Sequence, residues 1–243
     1  MPDRQRIWVF DVDGTLTPHR QAMTPKFADK FSQWAEDNVF YLCTGSDAEK
    51  IEEQVDRSIL DSAAGIFTCM GNVFTANGKE IYRREFDPPE GLEKRLKKAL
   101  KASPYSVRTG NHLERRVGMW NFSIVGRNAT LEQRNGYHKY DSMFREREWI
   151  ASTINIDFAG KVVASVGGQI SIDICQPGAD KSQIMNELLA RHTDISVHFV
   201  GDAIRPDGND WGLAERIREI GQPHEFTLTK NPNHTLRIIG AAL

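Results

Sequence analysis

Two aspartates two residues apart, in Asp11-Val12-Asp13-Gly14-Thr15, directly follow the apolar run Ile7-Trp8-Val9-Phe10. Such a run reads as a buried strand, so the carboxylates stand where the strand ends. One can attack phosphorus and carry the group as an aspartyl phosphate, while the other moves the proton on the leaving or incoming oxygen. A divalent cation is needed to hold these negative charges together. Spacing rejects a calcium loop: an EF-hand requires further oxygen ligands and a glycine at its sixth position, whereas Gly14 is fourth here and Leu16 follows. A plain Asp-Gly turn is the remaining alternative.

Two more apolar runs end in polar residues, Cys43 into Thr44-Gly45-Ser46 and Val200 into Gly201-Asp202. In an open parallel sheet the carboxyl ends of the strands form the binding crevice, which lets residues far apart in sequence converge. Lys181, at the start of a predicted helix, adds a cation. A nucleophile, a metal site, a hydroxyl and a fixed positive charge are what phosphoryl transfer requires.

The elements that must position these groups follow from the pattern. Thr24-Pro25 starts a helix with Phe27, Phe31 and Trp34 on one face and Asn38 as its stop. Val39 to Cys43 reads as a buried strand, followed by a helix through Val55. Strand, helix, strand, helix is the signature of a parallel sheet and an α/β core. Asn77-Gly78, between Val73-Phe74 and Ile81-Tyr82, signals a hairpin. After Asp87-Pro88-Pro89 a helix turns Leu92, Leu96, Ala99 and Leu100 inward, with Lys94, Arg95, Lys97, Lys98 and Lys101 as a solvated face. Leu113 to Val125 and Val162 to Ile174 are strand-like, a sheet with helices packed on it. Lys181 then opens a helix carrying Ile184, Met185, Leu188 and Leu189, and the α/β rhythm resumes with a strand at Val197 to Val200. The expected organisation is a core of residues 1–83 and 181–243 interrupted by an inserted domain of residues 84–180.

The chain has 243 residues and a net charge of −2 with both signs interspersed. That length buries a good core, and the absence of a basic field argues for a small-molecule partner rather than nucleic acid. Cys43, Cys69 and Cys175 lack metal-type spacing and read as reduced thiols of a cytoplasmic protein. Neither a signal nor a membrane-spanning stretch is visible, so the chain is expected to be soluble, with no membrane partner.

DVDGTLT, Ser46, Lys181 and Gly201-Asp202 with the later Asp210 resemble the four ordered motifs of the haloacid dehalogenase (HAD) superfamily. Within it, DVDGTLTPHRQ, TGSDAEKIEEQ, ERRVGMWNFSIVGR with LEQR, GGQISIDI and GDAIRPDGND resemble the eukaryotic-type phosphomannomutase family over nearly the whole chain. The resemblance implies a Rossmann-like HAD core with a parallel sheet and an inserted α+β cap between motifs two and three. It implies Asp11 as nucleophile and Asp13 as general acid/base. Magnesium would be held by Asp11, the Asp13 backbone carbonyl and Asp202, with Asp210 supporting the metal shell or orienting Lys181. Ser46 and Lys181 would hold the transferring phosphoryl group. Arg20 in the core and Arg116, Arg127, Arg134, Ser171 and Asp173 in the cap match substrate-binding positions. The implied activity interconverts mannose 6-phosphate and mannose 1-phosphate through a hexose 1,6-bisphosphate, in a homodimer paired through its caps. A sugar-phosphate phosphatase on the same scaffold is the alternative.

The cap residues make chemical sense independently. Arginine presents a rigid fork of donors suited to phosphate, and Ser171 and Asp173, two apart on a strand, share a face and can read sugar hydroxyls. The competing reading is a surface ion-pair cluster, with Glu114, Arg115, Glu132 and the stretch RERE at 145–148 supplying partners. The chain departs from the family where Thr68-Cys69-Met70-Gly71 replaces a Pro-Glu-Asn-Gly stretch. It departs again at Ala214, Arg216 and Glu219, which align with a second cation site, and at Trp120, Ile124 and His19, the last read as a solvated turn residue.

Overall fold

A computed structural model describes residues 4–206 and 208–241. The chain divides into two compact units, one built from residues 1–83 and 178–243 and the other from residues 84–177. In chain order, the first segment of the discontinuous unit carries β1 (Gln5–Phe10), α1 (Pro25–Ala35), β2 (Val39–Cys43), α2 (Ala48–Gln54), α3 (Arg57–Ser62), β3 (Gly65–Thr68), a 3-10 turn at Cys69–Gly71, β4 (Val73–Ala76) and β5 (Lys79–Arg83). The inserted unit carries α4 (Leu92–Ala102), β6 (Leu113–Arg116), β7 (Met119–Phe122), α5 (Leu131–Phe144), α6 (Glu146–Asp157), β8 (Val163–Gly167) and β9 (Ser171–Cys175). The return segment adds α7 (Gln183–Arg191), β10 (Ile195–Gly201), α8 (Trp211–Ile220), β11 (Glu225–Leu228) and α9 (Pro232–Ile238).

The core sheet has the order β11-β10-β1-β2-β3-β4-β5. Its first five strands are parallel, and β4 and β5 close one edge as an antiparallel hairpin. Ile7, Trp8, Val9 and Phe10 are all buried, as expected of a central strand covered on both faces. Helix α1 begins where Thr24 accepts a hydrogen bond from the Phe27 N–H, and Asn38 stops it by donating to the Trp34 carbonyl at 2.8 Å. Its Phe27 and Phe31 pack with Phe10 and Phe40 in one hydrophobic cluster, while Cys43 lies with Val9 and Phe199 in the cluster on the other face. The β4–β5 turn uses Asn77 at φ 50° and Gly78 at φ 69°, the left-handed pair that suits a two-residue hairpin. On α7, Ile184, Met185 and Leu188 are buried, whereas Leu189 is exposed.

The inserted unit is a four-stranded antiparallel sheet, order β6-β7-β9-β8, with its own core. Trp120, Phe122, Ile172, Ile174 and Ala164 line one face and pack with Leu92, Leu96 and Ala99 of α4, Tyr137 of α5, and Ile150, Ala151 and Ile154 of α6. The register sets Glu114, Asn121, Asp173 and Ser165 in a row on the opposite face. Two sequence expectations need correction. Arg95 is not simply solvated: it donates to Asp157 at 2.6 Å and to Thr153 at 2.8 Å, tying α4 to α6. Arg147, within the RERE stretch, is 4% exposed and bonds Asp141 at 2.8 Å and the carbonyls of Gly168 and Ser171, because the turn between α5 and α6 packs against the β8–β9 turn.

Candidate active site

The register of the parallel sheet assembles the site. Phe10 pairs with Val200 on one side and Leu42 on the other, so Asp11 stands level with Gly201 and Cys43, and Asp202 and Thr44 lie one residue beyond. The Asp11 N–H donates to the Val200 carbonyl at 3.0 Å, and the loop after it is fixed by bonds from the Leu16 and Thr17 N–H groups to the Val12 carbonyl. Glycine is required twice. At Gly14, φ is 85° and a Cβ would come within 2.5 Å of an Asp202 oxygen; at Gly201 a Cβ would come within 2.5 Å of an Asp210 oxygen.

Asp11 is 2% exposed and Lys181 is fully buried. The Lys181 ammonium donates to Asp11 Oδ1 at 2.5 Å and to Asp210 Oδ1 at 2.7 Å. Asp210 Oδ2 accepts the Ala203 N–H at 2.9 Å, so both of its oxygens are engaged and it holds Lys181 in place. Lys181 lies two residues ahead of α7 rather than inside it, because the Asp180 carboxylate accepts the Ser182 N–H and makes a turn there. Burial raises the Asp11 carboxyl to about 7; the Lys181 ammonium opposes this, and Asp210 and Asp202 add to it. Burial alone would lower the Lys181 ammonium, but the attraction of Asp11 and Asp210 outweighs it and holds the group above its ordinary range. Asp202 is raised by burial and by Asp210, with His19 and Lys181 opposing.

Oxygens of Asp11, Asp202 and Asp210 lie within 4.8 Å of one another. Three carboxylates against one ammonium leave an excess of negative charge, and among the described residues buried Asp11 Oδ2 has no hydrogen-bond partner. An oxygen-rich, under-neutralised cluster of this kind fits a hard divalent cation such as magnesium.

A cavity of about 320 Å³ is lined by Asp11, Asp13, Arg20, Thr44, Gly45, Ser46, Lys50 and Asn209. Asp13 Oδ1 accepts the Arg20 N–H and the Gln54 Nε2–H, both at 2.8 Å, which fixes its carboxyl apart from the acidic cluster. Arg20 itself takes φ 57°, and its N–H reaches Asp13 from that bend. The Ser46 N–H donates to Thr44 Oγ1 at 3.1 Å. Ser46 and Thr44 also accept, through their carbonyls, the N–H groups of Cys69 at 2.8 Å and Met70 at 3.0 Å. Cys69 and Met70 do this at φ 52° and 62°, a left-handed conformation that costs a non-glycine residue about 1 kcal/mol or more. Gln183 clamps the same loop through the Met70 carbonyl at 2.9 Å. The Thr68–Gly71 loop, which replaces the family's Pro-Glu-Asn-Gly stretch, thus holds the Ser46 loop with its backbone.

The core therefore gathers Asp11, Asp13, Arg20, Ser46, Lys181, Asp202 and Asp210. Thr44 lies in the strand end that the sequence pointed to, whereas Gln54, Lys50, Asn209 and Gln183 were missed; Gln54 and Lys50 lie within TGSDAEKIEEQ and Asn209 within GDAIRPDGND, but nothing in the sequence marked which of them faces the site. His19, read as a solvated turn residue, is exposed but sits 3.5 Å from Asp202 Oδ2. Ala214, Arg216 and Glu219 lie on α8, where Ala214 is buried and Arg216 pairs with Glu219 at 3.2 Å.

In the inserted unit, Glu114 bridges Arg116 at 3.0 Å and Arg127 at 2.7 Å, and Arg127 also donates to Ser171 Oγ at 2.9 Å. Asp173 accepts from Asn121 and is raised by burial, with Asn121, Arg116 and Arg127 opposing. These four predicted residues form one connected polar face, with Glu114 as the partner that an ion-pair reading required. Arg134 donates to the carbonyls of Ala129 at 3.0 Å and Arg127 at 2.9 Å, which fixes the loop bearing Arg127.

Parallel strands ending in an acidic cluster define a class, and the fold comparisons agree. The C-terminal domain of a trehalose-6-phosphate phosphatase from C. albicans aligns with a TM-score of 0.64 and 16% identity over 98% of this chain and 91% of that one. A haloacid dehalogenase-like hydrolase from Bacteroides thetaiotaomicron aligns at 0.61 and 13% identity over 98% and 99%. The protein thus has the haloacid dehalogenase-like α/β fold. The sequence profile described as eukaryotic phosphomannomutase matches residues 28–243, and the chain belongs to that family. It is 34% identical to a phosphomannomutase of Drosophila melanogaster over 88% of each chain, and 33% identical to one of Dendrobium officinale over 88% and 87%.

Proposed function

We propose that the protein is a phosphomannomutase that interconverts mannose 6-phosphate and mannose 1-phosphate through an Asp11 phosphoenzyme. The observation that carries this reading is the Asp11 carboxylate, buried at the end of β1 with one oxygen on Lys181 and the other without a partner among the described residues. A free Asp11 oxygen attacks a phosphoryl group of a hexose 1,6-bisphosphate, and the bond from phosphorus to the sugar oxygen breaks. Asp13, aimed by Gln54 and the Arg20 N–H, gives its proton to that leaving oxygen. In the second half, the hydroxyl of the acceptor sugar phosphate gives its proton to Asp13 and attacks the aspartyl phosphate, which restores Asp11. Ser46 and Lys181 hold the phosphoryl oxygens while it moves. Asp11, the Asp13 carbonyl and Asp202 would hold magnesium, which would supply the charge neutralisation that lets two anions meet.

A mutase must also bind the phosphate that stays on the sugar. Arg116, Arg127 and Arg134 of the inserted unit are assigned to it and Ser171 and Asp173 to the sugar hydroxyls, and Arg20 is assigned to substrate binding in the core unit. The sharing of Arg116 and Arg127 with Glu114 supports a preformed anion site that a phosphate enters by displacing the carboxylate. Exposed Met143, Phe144, Trp149 and Ile156 on α5 and α6 support pairing of two copies through the inserted unit. The three cysteines lack metal-type spacing, and reading them as reduced thiols supports a cytoplasmic location. No described helix is long and apolar enough to cross a membrane.

The test is phosphorus NMR of the protein with magnesium and mannose 1-phosphate, with and without a trace of hexose 1,6-bisphosphate. Mannose 6-phosphate that appears only with the bisphosphate is the expected result. Inorganic phosphate alone would mean that water takes the phosphoryl group from Asp11 and that the protein is a phosphatase.

A further inference from the structure

A groove between α1 and α9 encloses a cavity of about 770 Å³ in the core unit and shares no lining residue with the cavity at Asp11. Its floor is apolar: Leu16, Phe27 and Leu236 belong to one hydrophobic cluster, which holds α9 against α1. Its rim is cationic. Lys26 and Lys30 stand one turn apart on α1, and Arg237 lines the groove from α9. No acidic residue lines it, and no described carboxylate pairs with any of the three cations. The neighbouring helices behave differently, with Lys50 paired to Glu53 on α2 and Arg57 to Asp61 on α3. Like charges four residues apart on a helix repel, and Lys26 lies in the first turn of α1, where the dipole is already positive and no acid is present. That arrangement destabilises the chain alone and is offset when an anion enters. The groove also reaches the Asp13 loop: Leu16 and Pro18 line it from the segment between Asp13 and Arg20, and Thr235 of α9 donates to the Thr15 carbonyl at 2.7 Å.

We propose that this groove is an effector site for a nucleotide-sized polyphosphate. The phosphates meet Lys26, Lys30 and Arg237, the body of the molecule rests on the apolar floor, and occupancy alters the setting of the Asp13 loop. A cleft of several hundred Å³ suits a molecule of that size, whereas a single inorganic phosphate would fill little of it. Linked phosphates suit cations spread over two helices, since each lysine acts as a point charge and the arginine fork takes two oxygens of one phosphate. Binding stands on the groove alone; the effect on turnover rests on the reading of Asp13 as the acid/base.

Calorimetric titration of the full chain with ADP, magnesium being in excess, tests the site, with adenosine and inorganic pyrophosphate titrated beside it. ADP is expected to bind and adenosine not to. Lys30→Met combined with Arg237→Gln is expected to weaken ADP by at least about tenfold, whereas Asp202→Asn leaves it unchanged. The double variant should keep the wild-type far-UV circular dichroism and melting transition, which shows that its core is folded. Turnover of mannose 1-phosphate, followed by phosphorus NMR as the sum of all products, is expected to change at least about twofold with ADP in the wild type and not in the double variant. Counting every product keeps this readout intact if the enzyme proves to be a phosphatase. Equal ADP affinity in wild type and double variant, or loss of ADP in Asp202→Asn alone, overturns the groove as the site. Adenosine binding as well as ADP overturns the role of the cations, and pyrophosphate binding as tightly as ADP overturns the role of the apolar floor. ADP bound in the groove with turnover unchanged overturns the effector role.

Discussion

Gln54 decides where the Asp13 carboxyl points. It is 2% exposed, and its Nε2–H meets Asp13 Oδ1 at 2.8 Å from a helix that begins just after Ser46. A general acid/base is worth about 10²–10⁴ in rate, and much of that value depends on its being held within reach of the reacting oxygen. Gln54→Leu keeps most of the volume and removes the bond, which for a charged acceptor is worth about 1.5–3 kcal/mol. The expected outcome is a fall in kcat of about tenfold or more with little change in KM, in steady-state assays that vary mannose 1-phosphate at saturating bisphosphate. Asp13→Asn falls further, because the proton then has no carrier. A comparable rise in KM with kcat intact would mean that Gln54 serves binding instead. Sequence alone displayed Asp11 and Asp13 because carboxylates after an apolar strand are rare and chemically costly. Gln54 and the Cys69–Met70 backbone were not legible, since a helix-interior glutamine and two left-handed residues carry no mark of what they touch.

At the scale of elements, legibility followed periodicity. β1, α1, β2, the β4–β5 hairpin, the inserted sheet and β10 announce themselves through apolar runs, a Thr-Pro start or an Asn-Gly turn. β3 and β11, each four residues long, do not, and β11 has no apolar run, its two end residues exposed and its two middle ones only half-buried. The charged stretch 145–148 misled for a different reason. Arg147 is solvated by its neighbours' composition but buried by its partners, Asp141 six residues back and the carbonyls of Gly168 and Ser171 in the β8–β9 turn. It links both helices to the strand that carries Ser171 and Asp173. Breaking a buried pair of this kind leaves the surviving charge uncompensated, at a cost of about 3–5 kcal/mol. Arg147→Ala is therefore expected to lower the urea midpoint of the inserted unit by that equivalent. Arg147→Met combined with Asp141→Leu should recover most of the loss, because neither charge then remains buried.

At the scale of the molecule, the candidate site comes from two stretches of chain that only the core sheet unites. Asp11, Asp13 and Ser46 belong to residues 1–83, whereas Lys181, Asp202 and Asp210 belong to residues 178–243, and β10 pairs directly with β1. The order of motifs was readable because strand ends in a parallel sheet converge, but the pairing of Lys181 with both Asp11 and Asp210 needed the fold. Each unit has its own hydrophobic core, the inserted one centred on Trp120, Phe122, Tyr137 and Ile172. An ion held by the acidic cluster binds the folded core and not its unfolded chain. It should therefore stabilise that unit by about 2.7 kcal/mol when present at a hundred times its dissociation constant. For a unit of about 150 residues this corresponds to roughly 5–10 °C. Scanning calorimetry with EDTA and then with saturating magnesium should show the core transition rising by that amount while the transition of residues 84–177 stays in place. Asp202→Asn should abolish the shift. An equal shift in both transitions would mean that the two units unfold together, and no shift in either would mean that the cluster does not hold magnesium.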